Sequence, residues 1–239
     1  MKNKMFLTYC FTTLFSIIAN AGTMGAVAND SMAISPGFIF GVEGGVANID
    51  SLSLNNDVKN QRLGTNILLA KSSAVNAFAG TVGVFVGYKF PIFTNIAFEP
   101  IVAYHYVAGT STYNFISSSS NATTIYNDII GTKSIFDIVD LTVQANYRLN
   151  NGVNFFVQPG VAIVMNKFTI TNTTNSLYEG SGTNTSFRPE VAIGFGKMLT
   201  KHFNLFAKYN YIKGNDVNIA FASSSPDIST INLGLSFEA

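Results

Sequence analysis

Charge is scarce in this sequence. Only 11% of its 239 residues are Asp, Glu, Lys or Arg, against roughly a quarter in an ordinary soluble domain. Hydrophobic residues make up 47% and the net charge is +1. That balance excludes nucleic acid as a partner, since binding it needs a basic surface. A chain so apolar and so poor in charge points to lipid. Long apolar runs are missing too: beyond the N-terminal segment no stretch approaches the roughly 18 residues of a membrane-spanning helix. A membrane, if this chain enters one, must be crossed by strands. Tryptophan is absent, histidine occurs twice, and the single cysteine, Cys10, lies near the N-terminus. No His/Cys cluster for a metal can be assembled from that inventory.

The N-terminus carries a targeting pattern. Lys2 and Lys4 precede the apolar stretch Met5–Ile18, and two small-x-small sites follow, Ala19-Asn20-Ala21 and Ala26-Val27-Ala28. This predicts a signal peptide over residues 1–21, with cleavage after 28 as the alternative. Tyr9, before Cys10, is too bulky for a lipoprotein cleavage site. The mature chain, 29–239, would then cross an oxidising compartment without a thiol to mispair.

That mature chain alternates apolar and small or polar residues, the period of strands with two unlike faces. The alternation predicts eight strands, at 38–47, 78–90, 96–107, about 135–149, 153–169, 187–199, 203–213 and 229–239. Short turns at 91–95, 150–152 and 200–202 separate some of them. Longer polar connections at 48–76, 108–134, 171–185 and 214–226 separate the others. Strictly alternating short and long connections are the mark of an outer-membrane barrel. The expected fold is all-β: an eight-stranded antiparallel up-and-down transmembrane β-barrel with short periplasmic turns and long extracellular loops, forming one domain.

A membrane barrel turns its apolar face outward to lipid, the reverse of a soluble barrel. One face of every strand is Val, Leu, Ile, Phe or Tyr. The other holds Gly, Ala, Thr, Asn and Gln with most of the charge: Glu43, Glu99, Asp140, Glu190 and Glu238 against Lys89, Arg148, Arg188 and Lys208. Those signs nearly cancel, as a narrow interior requires, because an unpaired buried charge is costly. His105 shares the lumen face, where it is expected to join Glu99 and Asp140 in a polar network. Phe85, Ile101, Phe156 and Phe206 also point inward and would help to close the lumen. On the lipid face, aromatic residues gather at the strand ends, with Tyr104, Tyr106, Tyr209 and Tyr211 towards the long loops.

One short pattern recurs: Phe98-Glu99-Pro100, Val157-Gln158-Pro159 and Phe187-Arg188-Pro189. Proline cannot donate a ladder hydrogen bond, so each is expected at a bulge or a locally missing bond near a membrane interface. The leader, the strand–turn–strand repeat, the Phe-Glu-Pro and Val-Gln-Pro strands and the closing run Ile231-Asn232-Leu233-Gly234-Leu235-Ser236-Phe237 together carry a resemblance. The chain resembles the small outer-membrane β-barrel families, those similar to the transmembrane domain of outer membrane protein A and to opacity-type adhesins. The resemblance implies a bacterial outer-membrane location, outer-membrane lipids and the barrel-assembly machinery as partners, and Phe237 as the aromatic residue of the closing strand. Members commonly end on that aromatic; here Glu238-Ala239 follow it.

The site expected from sequence is thus structural, a lumen polar network of Glu43, Lys89, Glu99, His105, Asp140, Arg148, Arg188, Glu190 and Lys208. No catalytic, cofactor-binding or metal-binding residues are expected. Asp137 and Asp140 fall on opposite faces and cannot share a proton, and His202 falls in a periplasmic turn. Recognition is expected in the long Ser/Thr/Asn-rich loops. They suit a surface antigen or adhesin with host-cell or environmental ligands, the alternative being a narrow porin-like pore for small solutes.

Overall fold

In the computed structural model, residues 34–49, 77–118, 125–172, 180–214, 216–219, 222–224 and 226–239 are described. The leader over 1–21 lies outside them, as do most of the first long connection and parts of the other three. Every regular element among the described residues is a strand. Eight form the barrel: β1 (Gly37–Ile49), β2 (Ala77–Phe93), β3 (Ile96–Ser118), β4 (Ile125–Arg148), β5 (Val153–Asn172), β6 (Gly180–Met198), β7 (Phe203–Ile212) and β10 (Ile228–Glu238). Each pairs antiparallel with its chain neighbours, and β1 pairs with β10 to close the ring. Closure leaves no edge within the membrane, where an unpaired N–H or C=O would find no water. The short pair β8 (Asp216–Ile219) and β9 (Ala222–Ser224) forms a separate small sheet.

The short connections are tight for local reasons. Between β4 and β5 the Gly152 N–H donates to Leu149 O at 2.9 Å, and Gly152 takes φ 80°, the left-handed region that glycine enters at little cost. Between β6 and β7 the Thr200 hydroxyl accepts from the Phe203 N–H at 3.1 Å.

The faces sort as the pattern requires. Phe38, Val42, Val82, Val84, Phe98, Leu141, Phe155 and Ile193 are exposed on the outside, while Lys89, Glu99, Asp140, Asn154, Arg188 and Asn232 are buried within. Only lipid makes such an inversion stable, since water would drive those outer side chains inward.

The strands on one side of the barrel run further than the alternation indicates. The connection expected over 108–134 is largely ladder: β3 and β4 stay paired out to Ser118↔Ile125. Residues 180–185, expected as loop, belong to β6, and β5 and β6 pair up to Ile170↔Gly180. Thr, Ser and Asn in these stretches read as loop by composition, yet they tolerate a strand wherever a neighbour supplies the hydrogen bonds. The connection over 214–226 carries β8 and β9. By contrast β7, β10 and β1 have 10, 11 and 13 residues. Among the described residues the barrel wall is therefore tall across β3–β6 and low across β7, β10, β1 and β2.

The prolines interrupt pairing without shifting it. All three are exposed on the lipid side. Pairing of β2 with β3 lapses between Gly87↔Ile101 and Phe90↔Phe98, the gap that holds Pro100, and the register is the same on both sides. Pairing of β4 with β5 lapses between Thr142↔Gly160 and Ala145↔Val157, around Pro159. The β6–β7 ladder stops at Glu190↔Ile212, one position short of Pro189, whose carbonyl accepts from the Lys213 N–H at 3.1 Å. No bulge forms at any of the three. Each proline keeps its place on its other neighbour, in Pro100↔Val143, Pro159↔Val191 and Val161↔Pro189.

Candidate functional site

The lumen is built in layers that follow from the strand register. Nearest the periplasmic turns, β10 carries Glu238 inward, and Arg148 Nη2 donates to its carboxylate at 2.7 Å. Lys89 on β2 pairs with the same carboxylate and stands 4.0 Å from Glu99. Glu99 accepts from Gln144 Nε2 at 2.5 Å and from Asn146 Nδ2 at 3.1 Å. Phe237 is held from outside by ring contacts with His202 at 5.6 Å and Phe203 at 5.3 Å. The His202 ring nitrogen also lies 2.8 Å from Glu238 O.

Above this layer the interior is aromatic. Phe206 meets Phe85 at 5.7 Å and Phe156 at 6.3 Å, both edge-on. The rings fit because glycines face them: a Cβ at Gly41, Gly194 or Gly234 would overlap Phe85, Phe156 or Phe206 respectively. Among the described residues a cavity of about 30 Å³ remains, lined by Ile39, Phe85, Ile101 and Gln158 among others. That is room for one or two waters.

The next layer holds the second charge network. His105 places Nδ1 2.5 Å from Asp140 Oδ2 and Nε2 2.5 Å from Glu43 Oε1. A ring nitrogen thus meets each carboxylate, the arrangement in which a doubly protonated imidazole donates to both. Glu43 also accepts from Lys208 Nζ at 2.9 Å and from Asn232 Nδ2 at 3.0 Å, while Glu190 accepts from Asn210 Nδ2 at 2.7 Å. The expected grouping of His105 with Glu99 is corrected here. His105 joins Asp140 and Glu43, whereas Glu99, six residues nearer the periplasm on the same strand, belongs to the lower network. A face assignment names the side of a strand but not the level on its neighbours.

An apolar layer tops the lumen: Ala47, Ile49, Ala79, Val107, Phe136, Ile138, Ala162, Val164, Ile212 and Ile228. Sequence reasoning missed it, because these residues lie on the face expected to be polar, at strand ends beyond the clearest alternation. Arg188 is fully buried near this level, donating to Ser186 Oγ at 2.8 Å and Pro226 O at 3.0 Å. All nine residues of the expected polar network are buried, but they fall into two networks, with Arg188 bonded to Ser186 and Pro226 nearer the mouth. At the mouth, Asp227 accepts from the Gly214 N–H at 2.5 Å and the Tyr211 hydroxyl at 2.7 Å. Those bonds, the backbone one foremost, hold its carboxyl below the usual range.

Chemically, these layers bind charge to charge and fill space. Both nitrogens of His105 are engaged by carboxylates, leaving neither to take a proton from a nucleophile. Asp137 and Asp140 do lie on opposite faces, Asp140 within the wall and Asp137 outside it. No group of three His, Cys, Asp or Glu side chains is placed to hold a metal among the described residues.

Residues 18–238 match the family described as outer membrane protein beta-barrel domain. No curated protein matches the sequence. Among solved structures, the chain is similar to Ail, the attachment invasion locus protein of Yersinia pestis. The identity there is 10%, with 86% of this chain and 100% of that one covered and a TM-score of 0.45. It is also similar to the outer membrane protein OprG from Pseudomonas aeruginosa, at 15% identity, 88% and 100% coverage and a TM-score of 0.46. A third is the outer membrane protease OmpT from Escherichia coli, at 10% identity, 91% and 100% coverage and a TM-score of 0.45.

Proposed function

This chain belongs to the outer membrane protein beta-barrel domain family, and from that premise we propose that it is a surface protein of adhesin or antigen type. Its barrel anchors it in the bacterial outer membrane and its extracellular side recognises host-cell or environmental molecules. The observation that carries this reading is the filled lumen. Two charge networks, an aromatic layer and an apolar layer occupy the interior of an eight-stranded barrel, which is narrow enough for side chains to fill. The cavity of about 30 Å³ among them has room for a water or two rather than for a solute. With the interior occupied, what remains to meet other molecules is the outer end, where β3–β6 rise past the rest of the wall. We assign it no enzymatic activity, and the lumen network has a structural role.

The test is electrical and cellular. Purified protein in a planar bilayer gives no steady single-channel conductance, and cells bearing a version with the 110–133 hairpin cut back lose adhesion to host-cell or matrix surfaces. Steady conductance would instead support the porin-like alternative. Unchanged adhesion would remove recognition from that hairpin.

A further inference from the structure

The outer wall stays free of charge across β4 and β5 until one level. On β5 the outward positions Phe155, Val157, Pro159, Val161, Ile163 and Met165 are apolar, and the next is Lys167. On β4 those from Tyr147 to Val139 are apolar, and the next is Asp137. The fold brings these two first charges together: Lys167 Nζ lies 2.9 Å from Asp137 Oδ2. The hydroxyl of Tyr104, outward on β3, donates to Asp137 Oδ1 at 2.7 Å. From Phe155 to Lys167 the strand advances about 30 Å along the membrane normal, taking ~3.3 Å per residue and a tilt of ~40°. The apolar band of such barrels is ~25 Å tall. The cluster therefore stands just past the hydrocarbon, on the extracellular side and facing the bilayer.

Its parts differ in exposure. The Asp137 side chain is 14% exposed and has a donor on each oxygen, whereas Lys167 is 59% exposed. An ammonium has three protons; one goes to Asp137, which leaves two for a ligand. The level thus presents an exposed ammonium, held in place by Asp137, where lipid headgroups lie.

We propose that Lys167, positioned by Asp137 and Tyr104, is a headgroup site that binds the phosphate of an outer-leaflet lipid. Lysine is a common phosphate ligand as a point charge, and basic residues next to a membrane surface are drawn to anionic headgroups. The site faces sideways below the raised wall, so lipid is the ligand within its reach.

The full chain, refolded into phosphatidylcholine vesicles with or without diphosphorylated lipid A, tests this through the temperature at which the folded gel band is lost. Lipid A raises that temperature for the natural sequence, dephosphorylated lipid A does not, and the rise disappears in K167Q. Lys167→Met, which keeps the aliphatic stem, is read the same way if K167Q fails to refold. An undiminished rise in these variants, or an equal rise with dephosphorylated lipid A, overturns the site.

Discussion

His105 is the residue on which the middle of the lumen depends. It bridges Asp140 and Glu43 from opposite sides of the interior, and Lys208 supports only the second of these. Truncation to alanine would leave Asp140 without its cation in a buried site, a loss of about 3–5 kcal/mol by analogy with other broken buried pairs. H105A should therefore lose its folded gel band at a markedly lower temperature than the natural protein, and an unchanged midpoint would deny the bridge its role. The sequence makes His105 readable as a lumen residue, because alternation fixes its face. Its partners were not readable: Glu43 lies 62 positions away and reaches it through the stagger of a closed ring. Periodicity along one strand holds no record of that stagger. Gly41, Gly194 and Gly234 were legible only as small lumen residues. That each faces a particular ring became apparent from the neighbouring strand.

At the scale of elements, two features of the strands lead to opposite expectations. Glu238 ties the end of β10 to Lys89 on β2 and Arg148 on β4, so the last strand is fastened across the lumen as well as along its ladder. E238Q keeps the size of the side chain but leaves Lys89 and Arg148 without their shared counter-ion. It should slow formation of the folded band in a refolding time course and lower its midpoint; equal rates would deny Glu238 a part in closure. Pro100 works the other way. Its missing N–H faces β2, where pairing lapses with the register preserved, so a residue with an N–H can restore the bond. Pro100→Val should stabilise the barrel by about 0.5–1.5 kcal/mol, the usual net worth of one such bond. A lower midpoint would show that the gap is required. Strand number, order and face were open to reading from the sequence, and so was the cost of the prolines. The lengths of β3, β4 and β6 were not, since Ser, Thr and Asn suit loops and externally supported strands alike. Whether a stretch such as Thr110–Ser118 pairs depends on the chain beside it.

The whole molecule is a closed wall with a filled interior, and among the described residues its outer height is uneven. The high side is hydrogen-bonded sheet: β3 with β4 to Ser118↔Ile125, β4 with β5 to Ile130↔Asn172, and β5 with β6 to Ile170↔Gly180. Proteases cleave chain that can be drawn out into an extended, unpaired form, and local opening governs how often that happens. On that side β4 and β5 have a paired neighbour on each flank, and such strands open far less often than a connection outside any sheet. Intact cells exposed to an added protease should accordingly yield fragments in which residues 130–170, the two-sided part of β4 and β5 with the turn that joins them, are uncut. The uneven rim thus sets which portion of the surface survives in an environment that digests whatever it can reach.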